Sequence, residues 1–111
     1  MNSPFSADYI LQAEELSETI GKLPRLRLTH LPTPLEECPR ISTVLGGLDI
    51  RVKRDDLTGL AFGGTKTRMM EFVMADAIEN DAQVVIAGSP IHCNHPRLAA
   101  ASIVRAGLKP V

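Results

Sequence analysis

The sequence predicts an α/β fold: part of an open, mostly parallel sheet with flanking helices, incomplete at its C-terminal end. Three observations carry this. Segments with helical spacing of apolar residues alternate with short apolar runs of strand length. Hydrophobic residues make up 44% of the chain but aromatics only 4%, with no Trp, so the core must come from Leu, Ile, Val, Ala and Met. That composition suits α/β layers better than an aromatic-rich β-sandwich. Finally, a helix, Gly107 and then Leu108 to Val111 read as the approach to the next strand of a β-α-β unit. The parallel partner of the strand before that helix would begin at Val111, where the sequence stops.

The elements follow in order. Residues 6–20 form a helix, with Ile10, Ala13, Leu16 and Ile20 at helical spacing and Gly21 and Pro24 ending it. Its acids Asp8, Glu14, Glu15 and Glu18 read as a solvated face, or as a docking surface for a basic partner. Residues 1–22 are thus a separate N-terminal helix. Pro24, Pro32, Pro34 and Pro39 then bias their predecessors toward extended backbone, so Leu31-Pro32-Thr33-Pro34-Leu35 is irregular or extended. A short helix over 39–45 starts on Pro39 and stops before Gly46-Gly47. Residues 48–53 alternate Leu48, Ile50 and Val52 with Asp49, Arg51 and Lys53, a strand with one wet face. A loop over 54–64 leads into a helix over 65–80 whose buried stripe is Met70, Val73, Met74, Ala77 and Ile78. A Met stripe at this spacing is read as core. Gln83 to Ala87 is a short apolar strand, and the last helix runs from Asn94 or His95 to Ala106, ending at Gly107.

Charge and length exclude several classes. The 111 residues carry 12 Lys+Arg against 13 Asp+Glu, a formal net charge of −1. That leaves no basic footprint for nucleic acid or an anionic membrane. The apolar and charged fractions argue against disorder, and the length allows one domain at most. The segment from Met1 to Tyr9 lacks the basic and apolar regions of a secretory signal. No apolar run approaches the ~20 residues that span a bilayer. Cys38 and Cys93 leave a disulfide open but form no disulfide framework. A cytoplasmic protein is the default expectation.

Two stretches could carry chemistry. In Gly63-Gly64-Thr65-Lys66-Thr67-Arg68, two glycines deliver the chain into a helix whose first turn holds Lys66. The positive end of the helix dipole disfavours a cation there. A lysine kept neutral is a nucleophile for carbonyls, as Schiff-base enzymes require. The same stretch fails as a phosphate loop: Gly59 and Gly64 have the right spacing, but Thr65 intervenes before Lys66. The second stretch is His92-Cys93-Asn94-His95 with Arg97, after a strand and opening a helix, where ligands bind in open α/β sheets. Asn94 there is either a helix cap or a ligand contact. Zinc through His92, Cys93 and His95 would need His30 or Cys38 to complete the set, and no spacing supports that.

Together these segments resemble the pyridoxal-phosphate enzymes of the D-cysteine desulfhydrase and 1-aminocyclopropane-1-carboxylate (ACC) deaminase family. The likeness rests on Leu31 to Leu35, Arg51 to Asp56, Phe62 to Arg68, Glu71 to Asp76, Cys93-Asn94-His95 with Arg97, and Ala106 to Val111. It runs from about Pro24 onward. The resemblance implies the tryptophan synthase β-like fold (fold type II), with residues 23–111 the N-terminal portion of a catalytic domain. It implies that Lys66 binds pyridoxal 5′-phosphate as a Schiff base and shuttles a substrate proton. It implies that Asn94 hydrogen-bonds the cofactor's ring 3′-oxygen, and that Cys93, Asn94 and His95 face the substrate carboxylate. The full-length form would be a homodimer. The family's phosphate loop, pyridine-nitrogen partner and active-site tyrosines would lie beyond Val111. The family has Asn at Thr65, Lys at Met69, Gln at His92, Ser at Cys93, and a glycine pair at Ser89-Pro90.

The function implied is a lyase or deaminase acting on a small amino acid, with D-cysteine desulfhydration first and ACC deamination as the alternative. A catalytically inactive fragment or interaction module, and a small metal-binding module, are the other readings.

Overall fold

The computed structural model describes residues 7–90 and 92–111, with side chains from residue 12 onward in the first helix. In chain order the elements are α1 (Ala7–Gly21), β1 (Leu35–Glu37), α2 (Pro39–Val44), β2 (Arg51–Lys53), two 3₁₀ turns (Asp55–Thr58 and Leu60–Phe62), α3 (Lys66–Glu79), β3 (Val84–Val85), α4 (Asn94–Arg105) and β4 (Lys109–Pro110). The expected start of α1 at Ser6 lies outside the described residues, as do the side chains of Asp8 and Ile10. Ala13, Leu16 and Ile20 share a helical spacing, yet all three are exposed, as are Glu14, Glu15 and Glu18.

β1 and β2 pair antiparallel, with Leu35 opposite Lys53 and Glu37 opposite Arg51. The ladder is shorter than the expected strand over 48–53, although Cys38 N–H donates to the Ile50 carbonyl at 2.9 Å. Leu48 and Val52, on the expected dry face, are exposed.

The second half is a β-α-β unit. β3 and β4 pair parallel, with Val84 opposite Lys109 and Val85 opposite Pro110. The partner strand begins at Lys109, not at Val111 as expected. The reason is the end of α4. Gly107 takes φ +77°, its N–H donates to the Val104 carbonyl, and the Leu108 N–H donates to the Ile103 carbonyl. This paired arrangement turns the chain in one residue, and a glycine tolerates the left-handed backbone it needs. The ladder then continues through Ala87 N–H to the Val111 carbonyl at 3.0 Å.

α3 packs on α4. The core between them is Met70, Met74, Ala99 and Ile103, with Leu26, Leu28, Val85, Ala87, Ala106 and Leu108 against it. The buried face of α3 is Thr67, Met70, Glu71, Met74 and Ala75. The expected stripe is therefore rotated: Met70 and Met74 are buried, but Val73 and Ile78 are exposed at 41% and 43%. A charged residue outside the expected stripe, Glu71, lies on the buried face. The Cα radius of gyration is 17.6 Å, against about 13 Å for a close-packed chain of this length.

Candidate active site

Two helix N-termini lie side by side. The first belongs to α3. Gly63 takes φ +72° and ψ 178°, and Gly64 takes φ +137°. A Cβ on Gly63 would collide with the Asp56 carbonyl oxygen, and one on Gly64 would sit 3.1 Å from Leu98 Cδ1 of α4. Glycine is thus required twice, by backbone conformation and by close approach. Gly64 N–H donates to the Asp55 carbonyl and to Thr58 Oγ1, both at 2.9 Å. Thr65 stands at the cap position in helical conformation, without a side-chain capping bond. Lys66 is the first residue of α3. It is exposed and forms no ion pair among the described residues.

The second N-terminus belongs to α4. Here the cap is Cys93, not Asn94. Cys93 is extended (φ −91°, ψ 144°) and its Sγ accepts from the His95 N–H at 3.4 Å. Asn94 is already the first helical residue and is exposed, so its amide is left available to a ligand. The His95 N–H first, then the Ser89 hydroxyl and, more weakly, the nearby Lys66, hold the Cys93 thiol below its ordinary range against the opposing effect of burial. A thiolate at a helix N-terminus is favoured by the dipole in the same direction. Cys38 and Cys93 are both free thiols.

Arg97 ties the two ends together. Its Nη2 donates to the Gly63 carbonyl at 3.4 Å, and its guanidinium lies over the Phe62 ring at 5.7 Å. Its Nη1 is buried without a hydrogen-bond partner, as is Nδ1 of His95. His92 is exposed in the preceding turn. Among the described residues no group of three or more His, Cys, Asp or Glu side chains is arranged to hold a metal.

The structure thus brings Lys66, Cys93, Asn94 and His95 to one end of the α3–α4 pair. It also adds residues that pattern reading passed over. The Asp55 carboxylate accepts from Arg68 Nε and Nη2 at 2.9 and 2.7 Å and from Thr33 Oγ1 at 2.9 Å. Arg68, then Thr33, hold that carboxyl below its usual range against the opposing effect of burial. One signal was present in the sequence: Arg68 lies two residues after Lys66, and Asp55 sits in the loop that precedes it.

A parallel β-α-β unit whose helix opens on a Cys-Asn-His turn, packed against a preceding helix that opens on an exposed lysine, defines a segment of an α/β fold. No family model matches the chain. Among curated proteins, the D-cysteine desulfhydrases of Salmonella paratyphi B, Salmonella newport and Salmonella heidelberg are each 46% identical over 89 residues, covering 80% of this chain and 27% of theirs. Among solved structures, a crystal structure of an ACC deaminase homologue superposes with a TM-score of 0.80 at 36% identity, covering 86% of this chain and 29% of that one. Over most of its length the chain is thus similar in sequence to D-cysteine desulfhydrases and in fold to an ACC deaminase homologue. It spans little more than a quarter of the length of the curated relatives it matches.

Proposed function

We propose that this chain is the leading part of a pyridoxal-phosphate-dependent lyase that converts D-cysteine and water to sulfide, pyruvate and ammonia. The observation that carries this is the exposed Lys66 amine at the start of α3, beside the Cys93-Asn94-His95 turn that opens α4. The donor set fits the cofactor's aldehyde and ring-oxygen side. Lys66 is a primary amine with no competing carboxylate partner among the described residues. Asn94 presents an exposed amide, and the buried Arg97 Nη1 lacks a protein partner. Pyridoxal phosphate, when bound, supplies the electron sink for negative charge at the substrate carbon.

The remaining roles belong to the chain. The Lys66 Nζ would hold the cofactor and, when free, would take a proton from the substrate carbon and return one. The Asn94 amide would donate to the ring oxygen. The free N–H groups at the start of α4, with Cys93 and His95 beside them, receive the substrate carboxylate, an anion suited to the positive end of a helix. The reading implies that the full-length protein is a cytoplasmic homodimer. ACC deamination is the second reading, favoured by the likeness to an ACC deaminase homologue.

The test uses the protein as expressed from its own gene. It is mixed with pyridoxal phosphate, reduced with borohydride and digested. A mass adduct on Lys66 is the expected result, and its absence refutes the proposal. Sulfide release from D-cysteine, set against ammonia release from ACC, separates the two substrates.

A further inference from the structure

We infer that Asp55 and Thr58 are positioning residues for Lys66, clamping the chain on both sides of it. The clamp has two jaws. Before Lys66, the Asp55 carbonyl and Thr58 Oγ1 both accept from the Gly64 N–H at 2.9 Å. The Thr58 hydroxyl donates back to the Asp55 carbonyl at 2.9 Å, closing the turn. After Lys66, the Asp55 carboxylate takes both Nε and Nη2 of Arg68. One residue, Asp55, thus fixes position 64 through its main chain and position 68 through its side chain. Lys66 lies midway.

The clamp is itself anchored. Thr58 and Thr33 are 0% and 4% exposed. Thr33 Oγ1 donates to Asp55 Oδ1, and the Thr33 carbonyl accepts from Lys53 Nζ at 2.5 Å. A fully buried hydroxyl with one donor and two acceptor sites is here used in both senses, which a methyl of the same shape cannot reproduce. Hydrogen bonds fix distance and direction, where apolar packing fixes mainly volume. A nucleophile must be held to within about half an ångström of its productive place. The exposed Lys66 side chain has little packing to hold it, so its backbone must be held instead.

The inference rests on the reading of Lys66 as the cofactor-bearing lysine, so the experiment has two arms. In the first, the protein as expressed from its own gene and its Asp55→Asn, Thr58→Val and Thr58→Ser variants are treated briefly with pyridoxal phosphate and borohydride. The Lys66 adduct is measured as a ratio to the Lys109 adduct in the same digest. In the second, amide hydrogen exchange is followed over residues 64–68 without cofactor. Thr58→Val and Asp55→Asn are expected to lower the Lys66:Lys109 ratio by about tenfold to a hundredfold, the scale on which misplacement of roughly 1 Å acts. Thr58→Val, which removes one acceptor of the Gly64 N–H, is also expected to speed exchange at Gly64, and Asp55→Asn, which loosens the hold on Arg68, to speed it in the first turn of α3. Thr58→Ser restores both, because it keeps the hydroxyl. Folded Thr58→Val and Asp55→Asn variants that match the parent in both arms overturn the clamp, as does Thr58→Ser behaving like Thr58→Val. Arg68→Gln, at a position whose side chain is 33% exposed, replaces any variant that fails to fold and loosens the second jaw alone. A parent with no Lys66 adduct refutes the proposed function, and the clamp is then decided by the exchange arm.

Discussion

Glu71 is the residue whose removal the fold should feel most. Its side chain is fully buried, and it accepts from Leu28 N–H, Thr29 N–H, Thr29 Oγ1 and Arg25 Nε at 2.8, 2.7, 2.5 and 2.5 Å. Its own carbonyl accepts from Leu26 N–H at 2.9 Å. The segment from Arg25 to Thr29 is therefore tied to α3 through one carboxylate. Glu71→Ala leaves those donors facing a cavity, and removing one partner of a buried ion pair costs about 3–5 kcal/mol. Glu71→Gln keeps Oε1 for the three Leu28 and Thr29 bonds and faces Arg25 with a donor. Only the charge-assisted bond is lost there, about 1.5–3 kcal/mol. The lower half of that range is expected, because the Arg25 side chain is 27% exposed and solvent screens it. Burial, the largest single influence, pushes the Glu71 carboxyl up, but the Thr29 hydroxyl, the two backbone N–H groups and Arg25 together hold it below the ordinary range. A depressed carboxylate contributes stability that is present above its unfolded pKa of about 4.3 and is lost as pH falls through the folded value. Urea unfolding of the protein as expressed from its own gene, followed from pH 7 down to pH 3, reads both effects. Glu71→Gln should be less stable at neutral pH and should show a flatter acid limb than the parent. A Glu71→Ala variant within about 1 kcal/mol of the parent at pH 7 would refute this account.

Gly63→Ala should lose at least about 2 kcal/mol in thermal unfolding, since its backbone region is nearly exclusive to glycine and the new methyl meets the Asp56 carbonyl; an unchanged transition counts against the turn geometry. In a Cys38→Ser background, the pH midpoint for alkylation of Cys93 should lie below the ~8.5 of an ordinary thiol, and Lys66→Gln should move it upward, the sign expected when a cation favours the thiolate. A midpoint at or above the ordinary value, or one insensitive to Lys66, would remove the electrostatic link between the two helix ends. Ile103→Ala, at a fully buried position, should destabilise by about 2–5 kcal/mol, whereas Val104→Ala, at 62% exposure, should stay within about 0.5 kcal/mol; equal effects would mean the face of α4 is misassigned.

Much of this architecture was legible because it depends on local signals. Pro39 opens α2, Gly107 ends α4, and the helical spacing of Met70 and Met74 marks the inner face of α3. The strand ends were less legible, because β2 and β3 are defined by which residues find a partner, and that is decided across the chain. The rotated face of α3 escaped for a different reason. Hydrophobic spacing treats every acid as solvated, yet Glu71 is buried by donors from a segment 42 to 46 residues away. No periodicity within α3 contains that information. At the site, Lys66 and the Cys93 turn stood out because their chemistry is unusual at a helix start. For Asn94 the sequence leaves a helix cap and a ligand contact both open, because its side chain is a good capping group in general. Here the chain enters α4 one residue earlier, and the Cys93 sulfur takes that place.

The division of labour inside the molecule follows from what is buried. The apolar cluster of Met70, Met74, Ala99 and Ile103 holds α3 against α4 from the second turn of α3 onward. Ahead of it in the chain, apart from the buried Gly63, the buried residues among those described are Thr33, Thr58 and Thr67, all hydroxylated. Two physical regimes therefore meet along one helix. Apolar contact sets how α3 and α4 lie against each other, with a tolerance set by side chains that can repack. Directional bonds from Asp55, Thr58 and Thr33 set where the first turn of α3 begins, with the tolerance of a hydrogen bond. Changes to the Met and Ile cluster should register mainly in stability. Changes to the hydroxyl and carboxylate set should register mainly in what Lys66 can reach.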